Sequence, residues 1–166
     1  AHGSPVQRFN ITYNHAWTSF FWFHDVNAMY ADYLKLKEYA NMHTTVHTIE
    51  LMTNILTNLE NAARVGLFDG EMFGKEVQEL KTIKGREDLS RASRLFLELF
   101  FSEHRLLQMV HCEQDPTPEL KKLAELIETS ANYPDISFDS QITIIEMIGR
   151  VIDDNEEYEK LIDKIS

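Results

Sequence analysis

Apolar residues recur every three or four positions along most of this chain, which is the pattern of amphipathic α-helices. The spacing predicts a first helix over about residues 18–39 and a second over about residues 44–65. A third is predicted over about residues 70–84, with Asp69 as its N-cap and Gly85 at its end. Gly66 stands where a left-handed cap would end the second helix, and Leu67 follows as the apolar residue typical of such caps.

The densest apolar stripe lies in a fourth segment, over about residues 88–112, which we expect at the centre of the fold. Three further helix starts are predicted downstream. The first is at Thr117-Pro118-Glu119, with Thr117 as the N-cap. Tyr133-Pro134 then breaks the chain and a helix restarts at Ser137 or Asp139, and a capping box at Asp154-Asn155-Glu156-Glu157 starts the last helix. The sequence therefore predicts an all-α fold, a compact bundle of six or seven helices.

A short armadillo-like or HEAT-like helical array is the alternative fold. Aliphatic clusters near Leu51, Leu97 and Ile145 recur at intervals close to the period of such repeats. Regular helix lengths give the same spacing in an ordinary bundle, so the bundle is preferred. No linker interrupts residues 5–166, which we predict to form a single domain. Residues 1–4 resemble a cloning remnant.

Composition narrows the classes of function. The formal net charge of -11 argues against binding to nucleic acid or to an anionic membrane surface, because both need a concentrated positive field. The single cysteine, Cys112, excludes an internal disulfide and suits a reducing compartment, so a cytoplasmic location is expected. A membrane association would require an anchor that preceded this chain and was removed.

The run WTSFFWF, residues 17–23, concentrates aromatic side chains near the start of the chain. The simplest interpretation is a helix whose aromatic residues, with Ala28, pack into the core. Two others are an aromatic belt at a membrane interface and a surface or groove filled by a partner. We select Trp17, Phe20, Phe21 and Trp22 as the candidate partner-binding residues.

The run HTTVHTIE is the most specific candidate for metal chemistry. It places His43, His47 and Glu50 at positions i, i+4 and i+7, on one side of a helix, and His104 and His111 share a stripe of the fourth helix. Against a metal site, the chain lacks the paired Glu-x-x-His of di-iron bundles and the His-Glu-x-x-His of metalloproteases. A solvated polar flank is the simpler interpretation, and no cofactor is predicted.

Other titratable residues do not complete a catalytic arrangement. Glu103 falls on the apolar stripe of the fourth helix, and we expect its carboxylate to reach water at the edge of the stripe, because burial would be costly. Cys112 lies at the carboxyl end of that helix, where the helix dipole disfavours a thiolate. We therefore lean against an enzymatic function.

The sequence favours a non-enzymatic helical interaction or regulatory module that binds another protein. The acidic surface suggests a partner with a basic amphipathic helix, because opposite charge speeds the encounter. Two alternatives remain: a helical metal or ligand sensor that uses the histidine and glutamate side chains, and the soluble domain of a membrane-anchored protein.

Overall fold

The protein is described by a computed structural model, which covers residues 3–150, 152 and 155–163. Within these ranges there is no strand, so the prediction of an all-α fold is confirmed. The helices are α1 (Pro5–Phe23), α2 (Val26–Met42), α3 (Val46–Arg64), α4 (Gly70–Lys84), α5 (Arg91–His111), α6 (Thr117–Ser130), α7 (Phe138–Gly149) and α8 (Glu156–Asp163). The described residues thus form eight helices, one more than the upper prediction.

The chain divides into two compact units, residues 1–89 and residues 90–166. The first unit contains α1 to α4 and the second contains α5 to α8. The assignments of residues 5–166 to one domain and of residues 1–4 to a cloning remnant stay predictions.

The extra helix arises because the predicted first helix, over residues 18–39, is two helices. His24 adopts a left-handed conformation with φ 52° and ends α1. Asp25 then caps α2, its side chain accepting a hydrogen bond of 2.9 Å from the Ala28 amide. α1 also begins earlier than predicted, since Ser4 and Gln7 form a capping box around Pro5, the first helical residue.

α1 is held along α2 by both apolar and polar contacts. Phe9, Ala16 and Ser19 form its buried face, and the Phe9 ring lies 4.8 Å from the ring of Tyr39, measured between centroids. The buried carboxylate of Asp32 on α2 contacts Nδ1 of His15 on α1 and accepts a hydrogen bond of 2.7 Å from Lys35. This paired carboxylate satisfies the requirement that a buried charge have partners.

The end of α3 and the start of α4 match the sequence prediction. Gly66 has φ 75°, its amide donates to the Ala63 carbonyl, and the Leu67 amide donates to the Ala62 carbonyl at 2.8 Å. This is the Schellman arrangement, in which a left-handed glycine lets two amides close the last turn. The Leu67 side chain stays largely exposed. Asp69 caps α4 as predicted, accepting hydrogen bonds from the amides of Glu71 and Met72.

The second unit is built around α5, whose apolar stripe is buried as predicted. A continuous apolar cluster joins its helices: Leu99 and Leu106 of α5, Leu120, Leu123 and Ile127 of α6, Ile144, Ile145 and Ile148 of α7, Ile152, and Leu161 of α8.

Two of the predicted helix starts in the second unit differ in detail from those in the structure. Thr117 is the first helical residue of α6 rather than its cap, and the Asp115 side chain accepts the Thr117 amide. Asn155 accepts the Glu157 amide at α8, while Asp154 lies outside the described residues.

A buried carboxylate links α5 to α6. Glu119 accepts hydrogen bonds of 2.6 Å from the Ser102 hydroxyl and 2.7 Å from the Lys122 ammonium, and Arg105 Nε lies 3.4 Å away. Burial opposes ionisation of Glu119, but the hydrogen bonds from Lys122 and Ser102 and the two positive charges outweigh it and lower the pKa of this carboxyl. Ionised Glu119 therefore stabilises the fold above pH 4.5, its ordinary pKa, and this contribution is lost as the pH falls through the lowered value.

We predict that Glu119→Gln lowers the free energy of unfolding at neutral pH by about 1–2 kcal/mol, because charge-assisted hydrogen bonds become neutral ones. The variant should also lose less stability than the wild type as the pH falls below 4.5. Urea denaturation across this range measures both effects. Glu125→Gln, at an exposed position of the same helix, is the control for overall charge. Parallel pH profiles for wild type and Glu119→Gln would contradict the prediction.

Steric crowding at the end of α7 leaves no space for a side chain at Gly149. A Cβ at Gly149 would lie 2.0 Å from the hydroxyl oxygen of Tyr158, which donates a hydrogen bond of 3.1 Å to the Ile145 carbonyl. In contrast, a Cβ at Gly74 in α4 meets no atom within 4 Å. The same substitution therefore has opposite consequences at the two positions.

We expect Gly149→Ala to destabilise the protein by about 1–3 kcal/mol, since the Tyr158 ring must shift and its hydrogen bond to the Ile145 carbonyl is disturbed. Gly74→Ala should stabilise it by about 0.5–1 kcal/mol, because alanine loses less backbone entropy in a helix. Thermal denaturation of the two variants checks both signs, and equal shifts in the same direction would show that the contact with Tyr158 imposes no constraint.

Candidate functional site

The aromatic run at the end of α1 lies mostly outside the core. Trp17 and Phe20 are half-buried, while Phe21, Trp22 and Phe23 are 51%, 80% and 74% exposed. The expectation that Trp17, Phe20 and Phe21 pack inward with Ala28 is therefore wrong for Phe21, whereas Trp17, Phe20 and Ala28 are half-buried. The reason is the turn at His24, which places Ala28 on a different helix and ends α1 directly after the aromatic residues.

Stacked rings hold this part of α1 in a defined arrangement. The Trp17 and Phe21 rings are parallel with centroids 4.8 Å apart, and Phe20 meets Phe21 edge-on at 5.0 Å. Tyr13 continues the ladder one turn earlier, contacting Trp17 at 6.0 Å. Burial raises the pKa of Tyr13 in spite of the 3.5 Å hydrogen bond that its hydroxyl accepts from Asn54 of α3. The ladder is thus anchored at Tyr13 and exposed at its far end.

We call Phe21, Trp22 and Phe23 the aromatic surface. With about 150–250 Å² for each aromatic side chain, their exposed fractions leave on the order of 300–500 Å² of aromatic area in water. This total is comparable with the area of the largest apolar patches on monomeric proteins, which are often functional. Phe23 was not among the candidate partner-binding residues, although it belongs to the same run, because only the position of the helix end shows that it is exposed.

The helix that carries the aromatic surface has almost no formal charge. Between residues 5 and 23 the only Lys, Arg, Asp or Glu is Arg8. Residues 90–166 contain 16 acidic and eight basic residues, whereas residues 1–89 contain 11 and eight. The acidic excess therefore belongs mainly to the second unit, while the aromatic surface lies on a nearly uncharged helix of the first.

The proposed histidine stripe is broken between His43 and His47. His43 follows α2 as its C-cap, and Thr45 caps α3, so the two histidines do not share a helix. His47 and Glu50 remain on α3, with Nδ1 and Oε2 3.9 Å apart and the His47 side chain largely exposed. The signal for this break was the pair of threonines, because Thr45 accepts the Thr48 amide in the manner of an N-cap.

The two histidines of α5 that were candidate metal ligands, His104 and His111, also lie in different environments. His104 is buried with its ring parallel to that of Phe100, whereas His111 is exposed. Glu103 is buried, so the expectation that it reaches water at the stripe's edge is wrong. In the part of the chain that the structure describes, no three His, Cys, Asp or Glu side chains are grouped to hold a metal ion. The metal hypothesis stays a prediction without structural support.

A polar cluster in the first unit joins α2 to α4. Lys37 donates to Glu76 at 2.6 Å and to Glu79 at 2.8 Å, and the Tyr30 hydroxyl donates to Glu76 at 2.8 Å. Burial of Tyr30 and its hydrogen bond to Glu76 raise its pKa to about 12. The pKa of Lys37 is also raised, because its two carboxylate partners outweigh its burial. A lysine held protonated is a poor base and nucleophile, so this cluster serves as a structural link.

No described helix combines the length and apolar composition needed to cross a bilayer. The chain matches no protein-family model, and comparison with curated proteins and with solved structures gives no significant match. Function must therefore be argued from the surfaces of the protein itself, and the aromatic surface is the strongest candidate.

The two tryptophans allow the aromatic surface to be examined directly. We predict that Trp17→Phe, which leaves only Trp22, gives emission typical of solvated indole and steep quenching by acrylamide. Trp22→Phe, which leaves half-buried Trp17 stacked on Phe21, should give blue-shifted emission and weaker quenching. Indistinguishable quenching of the two variants would contradict the placement of α1.

Proposed function

We propose that this protein is a non-enzymatic helical interaction module whose aromatic surface docks into an apolar site on a partner protein. The observation that supports the proposal is the exposure of three consecutive aromatic residues, Phe21, Trp22 and Phe23, at the end of a capped helix. Aromatic side chains, tryptophan above all, are enriched among the residues that dominate binding energy at protein interfaces.

Preorganisation also supports docking at this surface. The stack of Tyr13, Trp17 and Phe21 restricts the Phe21 ring before any partner arrives, so Phe21 loses little side-chain entropy on binding. Because Trp22 and Phe23 lie beyond this stack and contribute little to the core, the cost of their exposure is not offset by folding contacts. A partner that covers them removes that cost.

The partner site expected here is apolar rather than strongly charged, since α1 contains Arg8 as its single formal charge. A cytoplasmic setting is part of the proposal, because Cys112 is an exposed free thiol that a reducing compartment would preserve. The same scarcity of charge favours one alternative, contact of α1 with the interfacial region of a membrane, where tryptophan and phenylalanine also reside. The test is designed to separate these two.

The experiment places a photo-crosslinking phenylalanine analogue at position 23 of the full chain, exposes it to extract of the source cells, and identifies the adduct. Val65, 70% exposed at the end of α3, is the matched control position. A protein adduct formed at position 23 and not at position 65 is expected. Adding Trp22→Ser should then weaken binding of the identified partner by about 30-fold, equivalent to about 2 kcal/mol, with thermal stability unchanged.

Two results would contradict the partner-protein proposal. One is equal crosslinking at positions 23 and 65, which would show that the aromatic surface has no preferred contact. The other is the absence of a protein adduct together with a blue shift of Trp22 emission on adding phosphatidylcholine vesicles to Trp17→Phe, which would assign the surface to a membrane.

A further inference from the structure

The second unit contains an apolar groove that the aromatic surface does not involve. Its volume is about 350 Å³, and its walls come from α6, α7 and α8: Ala124, Ile127, Glu128, Ala131, Phe138, Gln141 and Leu161. Ile127 and Leu161 are buried members of the core cluster and form the floor. Phe138, the first residue of α7, is 59% exposed at the edge of the groove.

The lining and the volume of the groove suit the apolar side chains of a helix. Ala124, Ile127 and Ala131 lie on one face of α6 at intervals of three and four residues, and the two alanines leave room for another backbone to approach. The volume is at the small end of the range of about 300–1,000 Å³ for ligand pockets, so it suits the apolar anchors of a helix rather than a whole cofactor. Helices bind such grooves through anchors spaced by three, four and seven residues.

The charge of the residues near the groove indicates which kind of helix would bind there. The described residues from 124 to 163 include all of the lining residues, and nine of them are acidic but only two are basic. One of the two, Lys160, is already 2.8 Å from Glu157 and 3.9 Å from Glu156. Glu125 and Asp139, next in sequence to lining residues, are both exposed. Within a Debye length of about 8–10 Å such charges attract cations and repel phosphates and acidic peptides.

We propose that this groove binds the apolar face of a basic amphipathic helix from another protein, with the flanking acidic residues facing its Lys and Arg side chains. A second copy of this chain fits less well, because α1, which has the largest exposed apolar surface, offers only Arg8 as positive charge. The site is distinct from the aromatic surface, so its failure would leave the proposal for α1 standing.

The test uses the full chain and a fluorescent synthetic peptide of leucine and lysine, with leucines at helical spacing. A scrambled peptide of the same composition is the first control. Fluorescence anisotropy should show binding of the helical peptide that weakens as salt rises, and affinity for the scrambled peptide should be at least about tenfold lower. Equal affinity for the two peptides would reduce the interaction to non-specific charge attraction and overturn the proposal.

Two sets of variants locate the contact. Ala131→Phe fills the groove from an exposed position at the end of α6, and should weaken binding at least about tenfold while circular dichroism and thermal stability stay unchanged. The double variant Glu125→Gln with Asp139→Asn should reduce affinity mainly at low salt. Glu38→Gln with Glu87→Gln removes the same number of exposed charges from the first unit, and should have little effect.

Each comparison can also contradict the proposal. Unchanged affinity of Ala131→Phe would show that the peptide does not occupy the groove. An equal loss for the two charge variants would attribute binding to net charge alone. Loss of binding in Trp22→Ser would place the peptide on the aromatic surface instead.

Discussion

The turn between α1 and α2 is the constraint on which the arrangement of the first unit depends. A left-handed residue at His24 followed by the Asp25 cap ends one helix and starts the next within two residues. With so short a connection, α1 folds back along α2, and one face of α1 is satisfied by Phe9, Ala16 and Ser19. The aromatic residues at the end of α1 then lie mostly outside the core. A continuous helix would have continued the aromatic stripe into Ala28 instead.

The sequence predicts those parts of the fold that are determined by local chemistry. The bounds of α4 and the caps at Gly66 and Asp69 follow from conformational preferences that act within a few residues. The break at His24 was not predicted, because a left-handed conformation is uncommon for any residue other than glycine and no glycine or proline marks the position. Thr45, the N-cap that separates His43 from His47, is of a residue type that commonly starts helices. The spacing of the histidines nevertheless favoured placing them on one helix.

Burial was harder to predict than helix position. Glu103 lies on a stripe whose periodicity was evident, but whether its carboxylate reaches water depends on which side chains surround α5. Likewise, the sequence indicated that residues 17–23 were exceptional without showing that Phe23 is exposed. Burial of Glu103 depends on contacts between residues far apart in sequence, and exposure of Phe23 depends on where α1 ends. Periodicity within one helix contains neither.

The aromatic surface and the net charge together have a consequence for how the protein behaves in concentrated solution. Exposed rings attract one another, and mutual repulsion between chains of charge -11 opposes that attraction at neutral pH. The sequence pI is near 5.0, so mild acidification removes the repulsion while the rings stay apolar. The acidic residues, all of which lie outside α1, thereby oppose self-association through its aromatic rings, and this protein should be handled well above its isoelectric point.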